Sequence, residues 1–140
     1  IADSNFVNFK KILVIVGPNF KNIKSVLHAA KLQKIECEVK KNITNMAEVL
    51  AEIDLAIGAA GSAAWERACL GVPSIQFVIA DNQTAVAKSM SDAGAALAVE
   101  SVEDMLPLLC EPRKWMFKVS QQAKNLVDGR GVFRVVGRLI

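Results

Sequence analysis

Long apolar runs, blocks of like charge and paired cysteines are all missing from this sequence of 140 residues. No apolar run approaches the roughly 20 residues that a membrane-spanning helix needs, and no signal peptide is evident. The net charge of +3 comes without a long Lys/Arg block, which argues against a nucleic-acid partner and is compatible with a small anionic ligand. The three cysteines, Cys37, Cys69 and Cys110, lack metal-ligand spacing and are interpreted as reduced thiols of a cytoplasmic protein.

The usual signatures of phosphate and metal sites are missing as well. The chain has no G-x-G-x-x-G and no G-K-[ST] pattern, so neither a dinucleotide fingerprint nor a P-loop is supported. Its one histidine, His28, has no metal partners nearby in the sequence. We therefore predict no cofactor, no metal ion and no catalytic residue within this chain.

The composition that remains is enough to build a hydrophobic core. A hydrophobic content of 52% and a charged content of 22% fit a folded globular protein, and the length predicts a single domain over residues 1–140. The sequence starts at Ile1 rather than at an initiator Met, and it stops at Ile140 inside an apparent helix. We expect a fragment of a longer protein.

Apolar runs of strand length alternate with segments of helical period along the whole chain. This order predicts an α/β, Rossmann-like fold with a mostly parallel sheet and helices on both faces. The strands are expected at residues 11–17, 35–39, 54–57, 74–79 and 95–99. Ligands of such folds bind outside the carboxyl ends of the strands, so the candidate site consists of the turns that contain Gly17, Ile43, Gly58–Ser62 and Asn82-Gln83.

The most informative segment is the run from Ile57 to Arg67, in which small residues separate a strand from a helix. Small residues allow close approach to the backbone, and free N–H groups at a helix start favour an anion. Ser62 is placed to cap that helix, and Glu66 follows about one turn later on the same side. An anion beside a carboxylate suggests a nucleotide whose ribose hydroxyls bind Glu66.

Simpler interpretations of these residues stay open at this point. The Gly58–Ser62 turn could be only a tight connection, and Glu66 could be a solvated helix residue. Asn82 and Gln83 could cap a helix rather than contact a ligand. Trp65 is expected to serve in packing rather than in ligand contact, and Arg67 is expected on the surface rather than in a catalytic role.

Several motifs give the chain a family resemblance from Ile12 to Gly94. It resembles the C-terminal domain of the PseG and SpsG proteins, which act on UDP-sugars in pseudaminic acid and spore coat polysaccharide biosynthesis. A more distant likeness is to the glycosyltransferase MurG, and both groups have the two-domain GT-B architecture. The matching residues are Val16-Gly17-Pro18-Asn19, Asn45-Met46-Ala47, Asp54–Gly58, Gly61-Ser62, Trp65-Glu66-Arg67, Gly71-Val72-Pro73, Asn82-Gln83 and Asp128–Gly131.

The resemblance implies a role for each candidate residue. Glu66 would hold the ribose hydroxyls, and the turn of Gly58, Ala59, Ala60, Gly61 and Ser62 would face the diphosphate. The backbone near Ile43 would read the uracil edge, Gly17 would border the site, and Asn82 and Gln83 would face the sugar or its phosphates. The implied partners are a UDP-sugar and an N-terminal domain of the same protein, with no nucleic acid and no membrane span.

The resemblance also implies a reaction that this chain cannot complete alone. A histidine of the missing domain would activate water, which displaces UDP from the anomeric carbon of a diacetamido-trideoxy sugar. The family's Gly-Gly-Ser-Asp-Pro loop is absent here, and Ala59-Ala60 and Ala63-Ala64 replace the usual Gly and Thr positions. Two alternatives stay open: a UDP-sugar-dependent glycosyltransferase of GT-B type, and a non-catalytic binding module.

Overall fold

The computed structural model describes residues 9–139, and these residues form two compact units. The first unit extends to Met46, and the second begins at Ala47. The strands of each unit pair in parallel, β1 with β2 in the first and β3, β4 and β5 in the order β3-β4-β5 in the second. The predicted α/β class with parallel strands is thus observed, but the strands form two sheets. The prediction of a single domain stays a prediction.

The first unit is a strand–helix–strand arrangement. Strand β1 (Lys11–Val16) and strand β2 (Glu36–Lys41) pair along their full length, with helix α1 (Ile23–Lys31) between them in the chain. Lys11 Nζ lies 3.0 Å from Glu36 Oε1 and 2.7 Å from Glu38 Oε2. The sequence predicts a fully buried β1, but only Val16 of this strand is buried. A sheet of two strands has too few neighbours to cover both faces.

The second unit contains three strands and the remaining helices of the described chain. Its sheet grows through parallel pairs, for which a helical crossover is the usual connection. The elements are α2 (Met46–Ala51, which begins at the boundary), β3 (Ala56–Ala59), α3 (Ala63–Cys69), β4 (Ser74–Phe77), a 3₁₀ turn (Asp81–Gln83), α4 (Thr84–Asp92), β5 (Leu97–Val99), α5 (Val102–Cys110), a second 3₁₀ turn (Pro112–Lys114), α6 (Met116–Leu126) and α7 (Gly131–Leu139).

Strand β3 lies two residues later than predicted, and this shift changes what the following turn consists of. The sequence predicts a strand over residues 54–57, whereas β3 pairs with β4 from Ala56 opposite Ser74 to Ala59 opposite Phe77. Gly58 and Ala59 lack the β-branched side chains typical of strands, yet both find partners on β4. The turn between β3 and α3 is therefore reduced to residues 60–62.

Small side chains form the core of the second unit. Alanines of α3, α6 and the segment before β5 pack together with Met90 of α4, and Met90 and Ile75 are fully buried. Alanine contributes little volume per residue, so the core of this unit is formed by many small side chains around the larger Met90. The cluster consists of Ala64, Ala68, Met90, Ala95, Ala96 and Ala123.

The helix ends of this unit follow the sequence signals closely. Gly71 (φ 69°) follows α3 and Gly94 (φ 66°) follows α4, both in the left-handed conformation that glycine adopts at helix ends. Ser101 and Asp104 form a capping box at the start of α5. In addition, Ser120 Oγ donates a 2.7 Å hydrogen bond to the carbonyl of Gly71, which ties α6 to the end of α3.

Helix α7 is amphipathic, and its apolar side chains are exposed. Val132, Phe133, Val135 and Leu139 are each at least 60% exposed. The segment before the helix is held by Asp128, whose carboxylate accepts hydrogen bonds from both terminal nitrogens of Arg134. No helix within residues 9–139 is long and apolar enough to cross a membrane.

Candidate functional site

The turn after β3 offers backbone N–H groups that the described chain does not use. The N–H of Ala60 donates to the carbonyl of Phe77 at 3.0 Å, and Ala60 is fully buried. The N–H groups of Gly61, Ser62 and Ala63 have no acceptor within residues 9–139. The N–H of Ala60 is therefore used by the sheet. Of the predicted segment Gly58–Ser62, the N–H groups of Gly61 and Ser62 stay available to a ligand, and the N–H of Ala63 joins them.

Ser62 does not cap helix α3, which corrects the sequence-based expectation. Its backbone is already helical (φ −55°, ψ −36°), and its side chain makes no capping hydrogen bond. A capping residue normally has extended dihedrals, from which its oxygen reaches the first-turn N–H groups. The exposed Ser62 hydroxyl is therefore available to a ligand rather than occupied by the helix.

Glu66 lies in the first turn of α3, and its side chain is exposed. It forms no salt bridge within the described residues. The neighbouring Trp65, for which the sequence favours packing over ligand contact, is 39% exposed. Both residues thus border solvent on the helix that follows the turn.

Arg67 is the residue near this turn whose surroundings the sequence predicts wrongly. It is expected on the surface, yet only 7% of it is exposed. Its Nη2 donates a 2.8 Å hydrogen bond to the carbonyl of Ala59, the last residue of β3. Burial lowers the pKa of the guanidinium, while the charge of Glu66 raises it. The sequence feature that goes with this burial is Gly58, because a Cβ at that position would lie only 3.3 Å from Arg67 Nη1.

Gln83 joins the loop after β4 to the turn after β3. Its Oε1 accepts a 3.1 Å hydrogen bond from the N–H of Ile79, and its Nε2 would lie 3.7 Å from a Cβ placed on Gly61. Neither Asn82 nor Gln83 makes a side-chain capping bond to the helices that begin here. The capping role that the sequence left open is therefore not observed, and contact of Asn82 and Gln83 with a ligand stays a prediction.

Gly17 and Ile43 belong to the first unit, where each follows the carboxyl end of a strand. Gly17 is exposed after β1, and its carbonyl accepts a 3.1 Å hydrogen bond from the N–H of Phe20. Ile43 is half-buried after β2 and follows Asn42, which has a φ of 58°. Their contribution to a nucleotide site stays a prediction.

The described residues offer no obvious place for a metal ion. Within residues 9–139, no group of three or more His, Cys, Asp and Glu side chains is arranged to hold one. The three cysteines are free thiols. The polar groups that the turn and α3 present are backbone N–H donors, the exposed carboxylate of Glu66 and the buried guanidinium of Arg67.

Comparison with known proteins identifies the class of domain that carries this turn. The sequence profile described as the glycosyltransferase family 28 C-terminal domain matches residues 2–109. The spore coat polysaccharide biosynthesis protein SpsG of Bacillus subtilis is 29% identical, over 76% of this chain and 34% of that protein. A UDP-N-acetylglucosamine–N-acetylmuramyl-(pentapeptide) pyrophosphoryl-undecaprenol N-acetylglucosamine transferase of Leuconostoc mesenteroides is 35% identical, over 64% of this chain and 26% of that protein.

Solved structures agree with the sequence comparison. The crystal structure of MurG from Acinetobacter baumannii matches with a TM-score of 0.75 and 25% identity, over 91% of this chain and 40% of that one. A glycotransferase of kitacinnamycin shares the fold, with a TM-score of 0.57 and 19% identity over 84% of this chain and 38% of that one. The predicted resemblance to SpsG and MurG proteins is confirmed, and the chain spans between a quarter and a third of the length of the curated relatives it matches.

Proposed function

The chain belongs to the glycosyltransferase family 28 C-terminal domains, and from that premise we propose that it is the UDP-binding half of an enzyme that acts on a UDP-sugar. The observation that carries the proposal is the turn at the end of β3. Three successive N–H groups there, those of Gly61, Ser62 and Ala63, have no acceptor in the described chain. The carboxylate of Glu66 follows on the same helix.

The two features match the two polar parts of a nucleoside diphosphate. Backbone N–H groups in succession form a concave donor set suited to phosphate oxygens, and Ser62 adds an uncommitted hydroxyl. An exposed carboxylate accepts hydrogen bonds from paired ribose hydroxyls. We assign uridine as the base because the Leuconostoc relative is named for UDP-N-acetylglucosamine. Ile43 is assigned to the uracil, and Asn82 and Gln83 to the sugar or its phosphates.

The contribution of this half to the reaction is stabilisation of the leaving group. When the bond between the anomeric carbon and the diphosphate breaks, negative charge grows on the phosphate oxygen. Fixed N–H donors aimed at that oxygen lower the barrier because they need no reorganisation at the moment of reaction. The group that attacks the anomeric carbon is assigned to the remainder of the full-length protein.

The acceptor distinguishes two candidate reactions. The resemblance to SpsG through Trp65-Glu66-Arg67 favours water, and so a hydrolase of bacterial surface-sugar biosynthesis. The matched family and the Leuconostoc relative favour a sugar hydroxyl, and so a glycosyltransferase.

A labelling experiment separates the two reactions. Full-length protein that carries this chain should be incubated with UDP-sugar in ¹⁸O-labelled water. Label in the released sugar supports the hydrolase, and transfer to an added acceptor without label supports the transferase.

Calorimetric titration of this chain with UDP, UDP-N-acetylglucosamine and CMP tests the binding proposal itself. We expect measurable affinity for the two uridine nucleotides and little for CMP. Equal or absent binding of all three would contradict the proposal and favour a non-catalytic module.

We also propose a cytoplasmic location. Cys37, Cys69 and Cys110 are free thiols, and free thiols are typical of proteins in a reducing compartment.

A further inference from the structure

Arg67 is a buried cation that has no carboxylate partner among the described residues. Only 7% of the residue is exposed, and no salt bridge of residues 9–139 includes it. Its Nε is buried without any hydrogen-bond partner. Buried charges are normally paired, because removing a charge from water is costly unless an opposite charge compensates it. The charge of Glu66 acts on Arg67, but no carboxylate of the described residues forms an ion pair with the guanidinium.

The guanidinium lies against the two residues that lead into the candidate turn. Its Nη2 donates to the carbonyl of Ala59 at 2.8 Å. Its Nη1 occupies the space beside Gly58, 3.3 Å from where a Cβ would be. The bond to Ala59 fixes the end of β3, from which the N–H groups of Gly61, Ser62 and Ala63 follow directly. The positive charge is thus held beside the position proposed for the diphosphate.

We propose that Arg67 is a positioning residue of the diphosphate site, which holds the end of β3 and supplies the charge that the bound diphosphate neutralises. This inference rests on the proposed function, because the anion it requires is the diphosphate of the UDP-sugar. Charges interact more strongly in a poorly solvated interior than in water. Arg67 therefore contributes to the preference for a nucleoside diphosphate over the uncharged nucleoside.

The experiment compares UDP, uridine and inorganic pyrophosphate as ligands of the 140-residue chain. Arg67→Met removes the charge and keeps much of the apolar stem, and Arg113→Met removes an exposed arginine as the matched control. We expect Arg67→Met to lower the ratio of UDP affinity to uridine affinity by about tenfold, with uridine affinity unchanged. Arg113→Met should keep the wild-type ratio. Arg67→Lys should recover part of the preference, since it restores the charge without the forked geometry.

If Arg67→Met does not fold, Gly58→Ala and Arg67→Lys still test the inference. Gly58→Ala leaves the charge in place but forces Arg67 Nη1 to move by a few tenths of an ångström. It should lower the ratio severalfold, whereas Ala98→Gly, at the β5 position in register with the same β4 residue, should not. An unchanged ratio in Gly58→Ala and Arg67→Lys would overturn the inference.

The ligand set separates failure of this inference from failure of the proposed function. Binding of pyrophosphate that depends on Arg67, without preference for uridine nucleotides, would support the inference and contradict the proposed function. A strong preference of the wild type for UDP over uridine that survives Arg67→Met would support the function and overturn the inference. Equal losses of UDP and uridine affinity would assign Arg67 a purely structural role and also overturn it. The inference is also overturned if the wild-type protein shows no preference for UDP over uridine and does not bind pyrophosphate.

Discussion

Two charged neighbours in the sequence, Glu66 and Arg67, have opposite surroundings in the structure. Successive helix residues are rotated by about 100°, so one side chain faces solvent while the next faces β3. Glu66 is exposed, and Arg67 donates its hydrogen bond to Ala59 from a buried position. A single turn of α3 therefore carries both the carboxylate assigned to the ribose and the cation assigned to the diphosphate.

Replacement of Glu66 by Gln should weaken UDP binding while the fold persists. Loss of a charge-assisted hydrogen bond costs roughly 1.5–3 kcal/mol, which is about tenfold or more in affinity. Calorimetry with UDP and with 2′-deoxy-UDP measures the effect. The deoxy ligand should bind weakly to wild type and be little affected by the substitution. Glu103→Gln, in the first turn of α5, is the control, and UDP affinity equal to that control would remove Glu66 from the ribose role.

We predict that a small side chain at position 61 matters for ligand access to the turn rather than for the backbone conformation of the turn. Its φ is not among the positive values of the described residues, and a Cβ would meet Gln83 Nε2 at 3.7 Å, an ordinary contact. We expect Gly61→Ala to bind UDP nearly as wild type does. The branched side chain of Gly61→Val should obstruct the phosphates, so that UDP binds little better than uridine. Retention of the full preference for UDP in Gly61→Val would show that the turn does not contact phosphate.

For single residues, the sequence predicts the required backbone conformation better than it predicts which groups surround a side chain. Gly71 and Gly94 follow helix ends with a positive φ, a backbone requirement for which glycine itself is the local sequence signal. Burial of Arg67 depends on Gly58, whose missing Cβ leaves room on a neighbouring strand. Whether Ser62 caps α3 depends on the residue at which the helical backbone begins. Such contacts between elements are not encoded in the local pattern.

The helices and strands appear in the predicted order, with shifted limits. The alternation of apolar runs predicts five strands, and five are present within the described residues. Strand β3 ends at Ala59 rather than at Ile57, because pairing with β4 extends it through residues of low strand propensity. The division of the strands into two sheets is a tertiary property. The order was therefore predictable from the sequence, and the exact turn residues were not.

The segment before α7 provides a pH-dependent prediction at the scale of one element. The hydrogen bonds from Arg134, followed by that from the N–H of Arg130, lower the pKa of Asp128 to about 2 from an ordinary value of 3.8. The stabilising effect of this carboxylate is therefore fully present above pH 3.8 and is lost as the pH falls through about 2.

Carboxyl ¹³C shifts of Asp128, followed as the pH is lowered, measure this directly. We expect a midpoint near 2 in the wild type and a return toward 3.8 in Arg134→Gln. In urea unfolding, any stability difference between wild type and Asp128→Asn should shrink as the pH falls from about 5 to about 2. A midpoint near 3.8 in the wild type would show that Arg134 does not hold this carboxylate in solution.

At the scale of the whole molecule, sequence and structure comparisons assign the same class of domain. The match to MurG over 91% of this chain and the family profile over residues 2–109 identify a GT-B glycosyltransferase-like C-terminal domain. This chain spans between a quarter and a third of the length of the curated relatives it matches. The proposed position of the leaving diphosphate can be tested on this chain, because the proposed donors all lie in the turn after β3 and at the start of α3.

Amide NMR of the ¹⁵N-labelled chain during titration with UDP tests the central claim most directly, because it shows which backbone groups meet the ligand. We predict that the largest shift changes occur at Gly61, Ser62 and Ala63, with further changes at Glu66 and Gln83. Titration with uridine should affect Glu66 but leave the three turn amides nearly unchanged. Saturable changes that avoid the turn and fall elsewhere, or no changes at millimolar UDP, would contradict the account.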